Sequence, residues 1–165
     1  MKQLFDDVSI EYSRVTTRSY STSFSIGIWC LSKELHDPIY AIYGFVRFAD
    51  EIVDTFHDYN KKKLLDSFRA ETYVAIEEKI SLNPILNSFR ATVHTYSIEM
   101  DLIDLFLRSM EMDLMRKKYD AFYGMLLIVV NVSIFEWLQR KSQPGLQVED
   151  KRGLVCKDRT MSQSS

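Results

Sequence analysis

An arginine and three carboxylates interrupt one of the most apolar stretches of this chain, "GFVRFADEIVDTF", residues 44–56. At about 100° per residue on a helix, Asp50 and Asp54 fall within about 60° of Arg47, so the three share one stripe. Tyr40 and Tyr43 extend that stripe backwards, and Asp58 extends it one turn further on. Ile42, Phe45, Ala49, Ile52 and Phe56 take the opposite side. Two acids four residues apart repel by about 0.2–0.5 kcal/mol, so water, the arginine or a cation must compensate. An Asp-x-x-x-Asp pair supplies the hard oxygens that Mg²⁺ takes, with water and phosphate oxygens completing its octahedron. Arg47 suits the same ligand, because its guanidinium forks onto diphosphate oxygens. The alternative is a solvated stripe with an intrahelical Arg–Asp pair. Aromatic neighbours weigh against it, since a wet face is usually lined by Lys, Glu and Gln.

A second segment, "SYSTSFSIGIWCLS" at residues 19–32, places Ser21, Thr22, Ser23 and Ser25 around a helix start. Hydroxyls and free N–H groups there form an anion site, or simply a cap. Phe24, Ile28 and Trp29 follow on the apolar side.

These side chains need helices to hold them, and the sequence offers little else. The 165 residues suffice for one domain, 46% are hydrophobic, and only five are Gly and three Pro. The pattern predicts helices near 2–16, 21–31, 37–58, 61–80, 84–97 and 101–119. Asp37 with Pro38, Asn60, and Asn83 with Pro84 serve as start signals. No strand alternation competes, so the fold class is all-α. A net charge of −2 excludes a general nucleic-acid binder. Cys30 and Cys156 match no metal or redox spacing. The acidic start is no signal peptide, and the apolar run at 125–138 is shorter than the roughly 20 residues of a spanning helix. A soluble, cytoplasmic chain follows, with peripheral membrane association and self-association through an apolar face left open.

The two segments, in this order, resemble the squalene/phytoene synthase family. The resemblance rests on "STSF" at 21–24, on "AIYGFVRFADEIVD" at 41–54, and on "SMEMDLMRKKYD" at 109–120. It implies an isoprenoid-synthase-type helical bundle. It also implies an enzyme that condenses two prenyl diphosphates, farnesyl or geranylgeranyl, head to head with Mg²⁺, in carotenoid or triterpenoid biosynthesis. On that basis Asp50 and Asp54 bind Mg²⁺ and are catalytic. Ser21, Thr22, Ser23, Tyr43 and Arg47 contact diphosphate, and Phe24 lines the prenyl tunnel. Asp113 either approaches this cavity by analogy or is a surface acid.

The family carries a second aspartate-rich motif, whereas here the only other Asp-x-x-x-Asp is the overlapping Asp54–Asp58. Residues 1–120 therefore read as the N-terminal part of the family domain. Residues 121–138 read as a divergent apolar segment, and 139–165 as a disordered tail. The expectation is a C-terminally truncated or frame-shifted member with little synthase activity. The competing reading is a non-catalytic helical remnant or interaction module.

Overall fold

A computed structural model describes residues 2–115. The segments at 121–138 and 139–165 lie outside the described residues. Within them the chain forms six helices and no strand: α1 (Lys2–Tyr20), α2 (Thr22–Trp29), α3 (Lys33–Asp54), α4 (Lys61–Glu78), α5 (Pro84–Tyr96) and α6 (Met100–Met115). The all-α expectation holds. None of these helices is long and apolar enough to cross a membrane.

Two of the start signals act as the sequence suggests. Asn60 accepts from the N–H of Lys63 at 3.0 Å, and Asn83 accepts from the N–H groups of Ile85 and Leu86, with Pro84 in the first turn. The third does not. Helix α3 begins at Lys33, a turn before Asp37, with Glu34 in the first turn, where the helix dipole favours an acid. Asp37 instead accepts from Arg14 Nε and Nη2 at 3.0 and 2.5 Å, tying α3 to α1. Pro38 consequently sits inside α3 without an N–H for the carbonyl of Glu34. The Tyr96 hydroxyl supplies a donor to that oxygen at 3.5 Å. At its other end α3 stops at Asp54, where the N–H of Thr55 closes on the carbonyl of Glu51. Phe56, His57 and Asp58 fall in the turn beyond, so the predicted extension of the acidic stripe to Asp58 is wrong.

Helix α3 is the central element, packed against all five others. Its buried face carries Ile42, Phe45, Ala49 and Ile52. The Phe45 ring stacks on Phe89 with centroids 3.9 Å apart and lies 5.3 and 5.4 Å from Phe68 and Phe106. One residue thereby joins α3 to α4, α5 and α6.

The contact with α1 is different in kind. There the buried residues of α1 are Ser9, Ser13 and Thr17, a stripe of small hydroxyls. Ser9 and Thr17 return their protons to the carbonyls of Phe5 and Ser13, and Ser13 Oγ bonds Ser88 Oγ at 2.7 Å. Small side chains let α1 approach closely, and Gly44 faces Ser13 for the same reason. A Cβ at Gly44 would stand 3.1 Å from Ser13 Oγ and 3.3 Å from Ile85 Cδ1. Gly44→Val is expected to lower unfolding free energy by about 1–3 kcal/mol through overpacking, measurable by urea denaturation.

Helix α6 is fastened by polar contacts. Arg69 donates to the Leu107 carbonyl and to Glu111, each at 3.0 Å, and the Tyr73 hydroxyl donates to Asp104 at 2.6 Å. These bonds set α6 against α4, and the acidic end of α6 lies towards the last turns of α3.

Candidate functional site

The last two turns of α3 present Arg47, Asp50, Glu51 and Asp54. Arg47 lies between two carboxylates, with Nη1 bonded to Asp50 Oδ2 and Nη2 to Glu51 Oε1. Beneath it lies the ring of Tyr20, the last residue of α1, with its centroid 4.3 Å from the guanidinium carbon. A cation over an aromatic face gains about 0.5–2 kcal/mol. The Tyr20 hydroxyl also bonds Glu51, as does the hydroxyl of Thr55. The arginine is thus held from below and from one side. Its Nε is buried without a hydrogen-bond partner among the described residues.

Tyr43, one turn before Arg47, stacks on Phe24 of α2 with centroids 4.7 Å apart. Burial pushes its hydroxyl up, against the pull of Arg47 and a hydrogen bond with Ser21. Ser21 is also the N-cap of α2, accepting from the N–H of Phe24 at 3.2 Å. The cap and the anion-site readings of Ser21 therefore describe one geometry. Ser23 Oγ is 3.5 Å from Ser21 Oγ, at the exposed rim. Thr22 is placed elsewhere. It lines a separate pocket with Arg18, Ser25, Ile26, Trp29 and Tyr40. Tyr40 belongs to that side too, buried beneath Arg18 rather than on the carboxylate stripe.

The structure so brings together Ser21, Phe24, Tyr43, Arg47, Asp50 and Asp54, with Ser23 at the edge and Thr22 outside. It adds Tyr20 and Glu51, which spacing alone did not select. Glu51 is buried, and its carboxylate holds Arg47.

 Burial and bonds to Arg47, Tyr20 and Thr55 fix the position of Glu51. In the sequence it reads as one more acid of the motif, and only the packing of Tyr20 separates it from Asp50.

The same surroundings shift the two carboxylates in opposite directions. Burial pushes the Asp50 carboxyl above its ordinary 3.8, and the Asp54 charge adds to this against the pull of Arg47. Asp113, near the end of α6, contributes in the same direction, so its charge reaches the site. Burial would raise Glu51 as well, but its bonds to Thr55, Arg47 and Tyr20 outweigh burial and hold it below its ordinary 4.5. A carboxylate lowered on folding contributes stability above its unfolded pKa, and that contribution is lost as pH falls through the folded pKa. Glu51→Gln is therefore expected to cost about 1–2 kcal/mol at pH 7. The difference from wild type should shrink below pH 4.5, as acid unfolding curves of the two proteins would show.

Asp50 and Asp54 offer a hard divalent cation two carboxylates, the number Mg²⁺ takes from protein when phosphate and water supply the rest. Asp50 and Asp54 stand one turn apart on α3, and the repulsion between them, with the burial of Asp50, is what a cation would relieve. Among the described residues no group of three or more His, Cys, Asp or Glu side chains is arranged to hold a metal. The donor set thus suits a cation that arrives with a phosphate ligand better than a bare one.

A family model described as squalene/phytoene synthase matches residues 17–126, and the chain belongs to that family. No curated protein and no solved structure matches it.

Proposed function

We propose that this chain binds the diphosphate of a prenyl diphosphate together with Mg²⁺, as the ionising half of a head-to-head prenyl condensation. The observation that carries the reading is the convergence of Tyr20 from α1, Ser21 at the cap of α2, and Tyr43, Arg47 and Asp50 of α3. Family membership supports prenyl diphosphates as the substrate class. Farnesyl and geranylgeranyl diphosphate both fall within it, as do squalene-type and phytoene-type products.

Asp50 and Asp54 would hold the cation, which neutralises charge on a leaving diphosphate. Arg47 would offer phosphate oxygens the Nη1 donor that now meets Asp50, while Glu51 and the Tyr20 ring keep its plane fixed. Donors fixed in advance stabilise developing charge without reorganising. Phe24 and Tyr43 supply an aromatic wall that shields an allylic cation from water. Thermal unfolding with farnesyl thiodiphosphate tests the reading. Ligand and Mg²⁺ together should raise Tm, because binding to the native state alone stabilises it. No shift in any combination would contradict it.

A second reading, an interaction module, is favoured by one observation: the outward face of α1 is apolar.

A further inference from the structure

Helix α1 turns small hydroxyl residues inward and several large apolar ones outward. Its buried residues are Ser9, Ser13 and Thr17, while Leu4, Val8, Tyr12 and Val15 are exposed, at 67, 43, 55 and 52%. On the helical wheel these four side chains fall within about 80° of one another, a single outward stripe. Scattered exposed apolar residues need no explanation, but a continuous stripe marks an interaction surface.

Charge beside the stripe identifies the partner. Asp7, Glu11, Arg14 and Arg18 form one flank within about 60°, acidic towards the start of the helix and basic towards its end. Within each pair, Asp7 with Arg18 and Glu11 with Arg14, the members are equidistant from the midpoint between Tyr12 and Ser13. In an antiparallel two-fold pair of helices like flanks meet, so each acid faces a base. Glu11 and Arg14 are already engaged, with Arg14 donating to Glu11 at 2.9 Å and also to Asp37. Arg18 lies over the Tyr40 ring, a contact that leaves its N–H donors free, and reaches Glu11 only at 3.9 Å, while Asp7 has no ion pair among the described residues. The outer pair is the one left to a partner.

We infer that α1 is a self-complementary interface on which a second copy of this chain docks antiparallel, with Tyr12 near the axis and Asp7 against Arg18 of the other copy. The same register carries Leu4 past the end of α1, beside the pocket of about 330 Å³ lined by Arg18, Ile26 and Trp29. Ile26 and Trp29 are 62 and 78% exposed. Apolar burial holds such a pair together, and the charges set its direction.

Sedimentation equilibrium of the full chain tests this, with circular dichroism confirming that each variant is folded. Wild type should form a dimer, and Val8→Glu should be monomeric. Asp7→Arg and Arg18→Asp should each weaken association about tenfold, since both symmetric pairs become repulsive. The double variant carrying both changes should recover it. A monomeric wild type, as when the stripe meets lipid or another part of the chain, overturns the inference. So does a dimer indifferent to Val8→Glu, or one that the double exchange does not recover.

Discussion

Asp50→Asn is expected to abolish Mg²⁺-dependent binding of a prenyl diphosphate while making the protein more stable. The two effects share one cause. Burial and the neighbouring Asp54 raise the folded pKa of Asp50 above 3.8, so the native state binds this proton more tightly than the unfolded chain does. Stability from this group is then present at low pH and falls as pH rises through the raised value, leaving ionised Asp50 a cost at pH 7. Asparagine removes the charge and keeps the shape, and Arg47 retains Glu51. A gain of about 1 kcal/mol, or about 2–4 °C in Tm, is expected by thermal unfolding. Binding should fall by at least about 10–100-fold, the loss that even the outer partners of metal ligands cause. A variant that loses stability and keeps binding would place Asp50 in the framework rather than in the site.

Phe45→Ala is expected to produce the largest loss of stability of any single truncation considered. Phe45 is 2% exposed and its ring contacts Phe68, Phe89 and Phe106 on three different helices. Truncating a buried phenylalanine costs about 3–5 kcal/mol, from lost transfer energy and the cavity left behind. That is a large share of a total stability of about 5–15 kcal/mol. Urea denaturation should show the midpoint falling with little change in slope. The site should loosen too, because Arg47 and Asp50 ride on the same helix.

Much of this arrangement was legible in the residues. The spacing of Ile42, Phe45, Ala49 and Ile52 fixed the buried face of α3, and that in turn placed Arg47, Asp50 and Asp54 together on its other side. Asn60 and Asn83 announced their helices because a side-chain cap is a local interaction. The errors came from non-local ones. Asp37 looked like a cap, but Arg14 from another helix claims it. Thr22 and Tyr40 read from the sequence as site residues, yet Thr22, just past the break between α1 and α2, and Tyr40, beneath Arg18 of α1, line a neighbouring pocket. Tyr20 and Glu51 became visible only once α1 was packed against α3, since nothing in their spacing links residues so far apart in the chain.

Calorimetric titration of farnesyl thiodiphosphate into the full chain, with and without Mg²⁺, tests the central claim most directly. Saturable binding that requires Mg²⁺ and disappears in Asp50→Asn is the predicted result. Heat of binding that is absent in both conditions, or equal with and without the cation, would contradict it.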